Sequence, residues 1–216
     1  MSQWVRMGLV FLSDVSGEKK AFTPGSISSE KRESPDYTEK RREWDMGSLQ
    51  PAFFRPFIDG VIHVFQVNCQ LQLTPQKPFI RGSRRQPRFG ISSRIGLQSD
   101  RFTGHVVICL PEKMYLTAMS HMFGESITEM TPELRDGAAE LLNQIFGFAK
   151  VVLNEQGETL QPAIPEVISG GQLEQRHDPS ATQVVVIPFL CREGEVHIEI
   201  SAQVSRSSRS RGGRGD

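Results

Sequence analysis

A chain of 216 residues with 25 basic and 25 acidic side chains and 38% hydrophobic residues can bury one good core and at most a small second one. No run approaches the ~18 consecutive apolar residues of a membrane-spanning helix, and residues 7–12 (MGLVFL) are too few, and too soon broken by Ser13-Asp14, for a signal peptide, so a cytoplasmic protein is expected. Cys69, Cys109 and Cys191 lie far apart with no CxxC pair, which argues against a disulfide framework or a zinc site; their apolar surroundings predict buried thiols.

Along the chain, residues 1–50 carry 8 basic and 8 acidic side chains without a sustained hydrophobic period, and are expected to form a flexible extension. Met46 stands just before the foldable part, so translation from Met46 is an expectation that mass spectrometry of the native protein would check. From residue 52 to 73, Phe54, Phe57, Ile58, Val61, Ile62 and Phe65 recur at helical spacing, predicting an amphipathic helix opened by Pro51 and closed before Thr74-Pro75. Residues 78–80, 88–98 and 102–110 are β-branched segments bounded by turns and predict antiparallel strands. The basic stretch 81–88 (RGSRRQPR) reads as a solvated hairpin loop rather than a phosphate patch.

Pro111-Glu112 starts a second helix, stopped near Phe123 by Gly124. Thr131-Pro132-Glu133 opens a third, with Thr131 as cap, Pro132 preset for the first position and Glu133 at the positive end of the dipole, continuing to about Leu153. Strands follow at 163–169, 183–190 and 195–204, and the tail 205–216 (SRSSRSRGGRGD) is expected to be disordered. The result is an α+β domain over residues 51–204, an antiparallel sheet with helices packed on one side, flanked by flexible termini.

The third helix carries the chemistry. On a 100° wheel, Leu134, Ala138, Leu141, Ile145, Phe148, Ala149 and Val152 share one side, and Asp136, Glu140, Asn143, Gly147, Lys150 and Asn154 form a polar stripe opposite. Glu140 and Asn143, three residues apart, are neighbours on it. Every surface helix has a polar stripe, so spacing alone does not make a site. Asn143 is a mediocre helix former, however, and Gly147 costs about 0.5–1 kcal/mol relative to Ala while clearing space beside the pair.

Asp136-x3-Glu140-x2-Asn143-x21-Pro165 resembles the signature of the CheC/CheX/FliY chemotaxis phosphatases, and the surrounding residues 53–203 resemble the CheX branch, including PFIDGVIHVFQ, GISSRIGLQSDRFTGHVVICLPE and PAIPEVISGG. The resemblance implies dephosphorylation of a CheY-like response regulator on its aspartate. Asn143 would then orient the attacking water, and Glu140 would pair with the receiver's active-site lysine. Asp136, Gly147 and Pro165 would support the site or meet the partner. The chain itself would bind no cofactor, Mg²⁺ being held by the receiver. A homodimer through sheet edges is expected as well. CheC-like proteins repeat the motif on a second helix, whereas the corresponding stretch here reads Asp59-x3-His63-x2-Gln66, so one active centre per chain is expected, as in CheX.

Other candidates point elsewhere. His63, His105, His121, His177 and His197 show no HxxxH or HExxH spacing, Gly170-Gly171 is followed by no GK[ST], and Met114, Met119 and Met122 read as core filler. The principal alternative is a CheX-like module that docks a receiver or a flagellar switch component without hydrolysis. An RNA-binding reading rests only on the charge of the tail and of the 81–88 loop, and predicts steep salt dependence.

Overall fold

The computed structural model describes residues 51–82, 89–169 and 183–204. The extension 1–50 with Met46, the basic loop at 83–88, the 170–182 stretch with Gly170-Gly171 and His177, and the tail 205–216 lie outside the described residues. Among the described residues, three helices, α1 (Pro51–Asn68), α2 (Glu112–Phe123) and α3 (Pro132–Glu155), accompany the strands β1 (Thr74–Pro75), β2 (Phe79–Ile80), β3 (Ile91–Gln98), β4 (Phe102–Leu110), β5 (Glu166–Ser169), β6 (Val185–Cys191) and β7 (Gly194–Val204). The strands form one antiparallel sheet in the order β1-β6-β7-β4-β3-β5, with β2 also paired to β6. This is the expected α+β architecture.

Alternation along the strands builds the core. Ile95 of β3, Val106 of β4 and Ile200 of β7 stand side by side across the sheet, as do Ile108 and Ile198, and all are buried. This face carries the helices: the Phe53 ring of α1 meets Phe102 of β4 edge-on at 5.0 Å, and α3 lies over β3 and β5. The helix pair approaches closely at Gly60, where a Cβ would stand 3.1 Å from the Ile145 carbonyl oxygen and 3.3 Å from the Phe148 ring. The opposite sheet face also buries polar groups, Ser92, His197, Glu199 and Ser201. Arg81 reaches Glu199 at 3.7 Å, Glu195 holds His197 Nε2 at 2.7 Å, and the Phe89 ring covers His197 at 4.9 Å. Hydrophobic patterning gives no sign of this polar layer, because it registers only the apolar half of the alternation.

Several boundaries differ from expectation. The first helix ends at Asn68, not near residue 73: Gln70 takes φ 54, and the Leu71 N–H turns back to the Phe65 carbonyl. Leu71 and Leu73 are buried from an extended segment, which extends the apolar pattern beyond the helix. That segment runs into β1, a two-residue strand too short to leave a pattern. On α3 the buried arc is Leu134, Ala138, Leu141, Leu142, Ile145, Phe146, Ala149 and Leu153, while Phe148 and Val152 are only half-buried. The wheel centres the arc too far toward Phe148, whose ring packs sideways against α1 rather than down on the sheet. Cys69 and Cys109 are buried as expected, but Cys191 is half-exposed, because it closes the β6–β7 turn with its Sγ 3.4 Å from the Gly194 carbonyl oxygen. Met114 and Met119 are core residues and Met122 is half-buried.

Candidate functional site

The face that α3 presents is set at its N-terminus. Thr131 is extended, its Oγ1 accepts the Leu134 N–H at 3.2 Å, and Pro132 and Glu133 fill the first turn. One turn on, the buried Tyr115 hydroxyl of α2 donates to the Leu134 carbonyl. Burial first, and then the nearby Asp136 charge, push the Tyr115 phenol well above its ordinary 10.0, so it remains a neutral donor. A cap and a buried hydroxyl thus fix the rotation of α3 about its axis.

With that rotation set, Asp136, Asn143 and Gly147 are exposed and Glu140 is half-exposed on one stripe. Glu140 Oε1 accepts from Gln144 Nε2 at 2.9 Å, and Gln144 Oε1 accepts from Asn68 Nδ2 at the end of α1. Among the described residues nothing engages the Asn143 amide. A Cβ on Gly147 would meet nothing within 4 Å, so the fold itself does not require glycine there. Asn154, further down the stripe, serves the fold instead, since its Oδ1 accepts the Leu160 N–H at 2.9 Å and closes the turn after the helix.

Pro165 belongs to a different element. It precedes β5, whose first residue, Glu166, pairs with Arg94 of β3 through a 2.6 Å bond from Nε. Arg94 and Glu166 lie on the face away from the helices, and Pro165 immediately precedes this strand, which packs against α3. Four of the five expected residues therefore share one helix stripe, and the fifth enters from the neighbouring edge strand. The motif-equivalent stretch on α1 carries no such pair: Asp59 faces Arg55 at 3.6 Å, His63 lies against the Phe148 ring at 5.2 Å, and Gln66 is exposed. Burial raises the Asp59 carboxyl against the lowering effect of Arg55.

The site is a ridge on the exposed surface of α3. A cavity of about 310 Å³ is lined by Gly96, Gln98, Thr103, His105, Ser201 and Gln203 among others, residues of β3, β4 and β7 and their flanks, and by none of the α3 residues. Among the described residues no group of three His, Cys, Asp or Glu is placed to hold a metal ion. His121 instead binds the Cys69 carbonyl at 2.6 Å through Nδ1, and His197 is buried beneath Phe89. An exposed amide can accept from water and donate to an oxyanion at once without titrating, and the carboxylate beside it can meet a cation. A ridge bearing these two groups needs a partner that brings the reacting group and its surrounding charges.

Sequence reasoning misses Gln144 and Asn68. The i, i+4 spacing from Glu140 to Gln144 is available to it; the Asn68 contact, 76 positions away from Gln144, is not.

The family model described as "Chemotaxis phosphatase CheX" matches residues 91–190. The chain resembles the chemotaxis protein CheX of Vibrio vulnificus, with 30% identity and TM-score 0.64 over 70% of this chain and 99% of that one. It also resembles a CheC-like superfamily protein of a Shewanella species, with 27% identity and TM-score 0.62 over 72% and 99% of the two chains. A CheX–CheY–BeF3–Mg²⁺ complex from Borrelia burgdorferi shares the fold at 18% identity and TM-score 0.59, over 70% and 97%. Among proteins with curated descriptions, none matches. Among the described residues no helix is long and apolar enough to cross a membrane.

Proposed function

The chain belongs to the CheX family of chemotaxis phosphatases, and on that premise we propose that it hydrolyses the aspartyl-phosphate of a CheY-like receiver, with Asn143 orienting the attacking water and Glu140 docking onto the receiver's active-site lysine. The observation that carries this is the pairing of an exposed Asn143 amide, without a partner among the described residues, with a held Glu140 carboxylate on one stripe of α3. Phosphoryl transfer needs little covalent help, so holding a water in line and matching charge at the partner's site is chemistry enough. Hydrolysis breaks the phosphorus–oxygen bond, water supplies the new oxygen, and the aspartate leaves as carboxylate.

In this reading the chain holds no metal of its own, and Glu140, with one oxygen bonded to Gln144, acts as a docking carboxylate. Mg²⁺ belongs to the receiver, where it neutralises the phosphoryl oxygens. Asp136 orders the first turns of α3 and borders the docking face, Gly147 leaves room for the partner's backbone, and Pro165 shapes the adjoining edge. We further propose one active centre per chain, a cytoplasmic setting with its receiver, and a homodimer formed through a sheet edge, for which β5 and the β1/β2 side are the candidates. Light scattering at micromolar concentration checks the dimer.

The central test is the decay of a phosphorylated, Mg²⁺-bound receiver from the same organism with wild type, Asn143→Ala and Glu140→Ala. Wild type accelerates decay and both variants lose most of that acceleration if the proposal holds. Binding without acceleration would replace it with the non-catalytic module.

A further inference from the structure

We infer that Gln144 is a positioning residue: it holds the Glu140 carboxylate in its docking orientation and is itself anchored by Asn68, so that the acidic half of the site is set by the contact between α1 and α3. The inference rests on the phosphatase reading for its functional meaning and on hydrogen-bond chemistry for its geometry. An ionised carboxylate only accepts, so the Gln144 atom 2.9 Å from Glu140 Oε1 is the amide nitrogen. The Gln144 oxygen must then point away, and the atom of Asn68 that meets it must be a nitrogen, as observed. One acceptor at the head of the chain thus orients two amides.

The far end of the chain is fixed too. Asn68 is the last residue of α1, and Cys69, the next residue, is buried with its N–H on the Phe65 carbonyl and its own carbonyl on His121 of α2. All three helices therefore converge on the point from which Glu140 is held. Glu140 Oε2 has no partner among the described residues, which leaves that oxygen for an incoming cation. A long acidic side chain on a helix surface samples many rotamers, and ordering it at docking costs binding; Gln144 confines it beforehand. Asn143, one residue before Gln144, has no such holder among the described residues, in keeping with a short side chain that has fewer rotamers to lose.

The test is a double-mutant cycle on receiver dephosphorylation, combined with side-chain NMR of the full-length protein. Gln144→Ala is expected to lower kcat/KM about five-fold, chiefly through KM, because a loosely held Glu140 weakens docking more than hydrolysis. Asn68→Ala should lower it about two-fold. Gln144→Glu should cost more than Gln144→Ala, since it places a like charge one turn from Glu140. In a Glu140→Ala background, Gln144→Ala should cost nothing further. Equal losses in both backgrounds would show that Gln144 acts through the fold and would overturn the inference. In the NMR arm, which needs no activity, the Gln144 side-chain amide protons should exchange slowly in wild type and rapidly in Glu140→Ala; rapid exchange in wild type overturns the inference. If no receiver is dephosphorylated by wild type, the phosphatase reading falls while the NMR arm still decides whether Glu140 is held.

Discussion

Leu141 and Asn143 are two residues apart on α3, yet one is fully buried and the other is exposed, its amide without a partner among the described residues. The same contrast holds between two glycines of the helix pair: Gly60 has a backbone oxygen 3.1 Å from where its Cβ would be, and Gly147 has open space. On the inner face each residue is accounted for by its neighbours in the chain. On the outer stripe, Asn143 and Gly147 have no such account, and residues the fold does not need are the ones to attribute to a partner. Glu140 lies between the two cases, reaching outward but secured from α1.

Mutation can sharpen or break this contrast. Leu141→Ala removes a fully buried side chain and should cost about 2–5 kcal/mol, read from the midpoint of urea unfolding, with activity per folded molecule preserved. Asn143→Ala should do the reverse, lowering phosphatase activity about 10²-fold while shifting stability by no more than about 0.5 kcal/mol; equal damage to stability would remove the contrast. Tyr115→Phe should cost about 1–3 kcal/mol, because it removes a buried donor from the Leu134 carbonyl, and thermal unfolding against wild type measures it. The smallest change is the most diagnostic: Gly147→Ala should stabilise the helix by about 0.5–1 kcal/mol and yet weaken receiver binding. A gain in stability with unaltered binding would mean that no partner approaches there.

Alkaline pH probes the inner face alone. Burial pushes the Cys69 thiol from 9.0 up to about 12. Above pH 9 the unfolded thiol therefore loses its proton while the folded one keeps it. Its contribution to stability is complete below pH 9 and is lost progressively toward pH 12, with a limiting slope of about 1.4 kcal/mol per pH unit. Tyr115, raised in the same direction from 10.0, adds to the decline at higher pH. Unfolding midpoints at pH 8, 10 and 11 should fall in that order, and Cys69→Ala should flatten the first part of the fall.

How much of this is legible in the sequence depends on range. Thr131, Pro132 and Gly124 act on residues within a turn of themselves, so the ends of α2 and the start of α3 are legible, as is the Glu140–Asn143 neighbourhood, which needs only the helical period. The end of α1 is not, because Leu71 and Leu73 are buried from an extended segment by partners elsewhere in the chain. The polar layer around His197 and Glu199 is hidden for a related reason: Arg81 and Phe89, which cover it, come from a segment more than a hundred positions earlier. The hold of Asn68 on Gln144 is the same kind of fact, visible only once two helices lie together.

The single-stripe layout of Glu140, Asn143 and Gly147 also bears on how such a protein can change over generations. None of the three is buried, and Asn143 and Gly147 lack intramolecular partners among the described residues. On the proposed mechanism, altering one or two codons would therefore silence hydrolysis while leaving a folded domain for selection to act on. If that mechanism holds, an enzyme and a pure adaptor are separated in this architecture by point mutations on an exposed stripe rather than by a new fold.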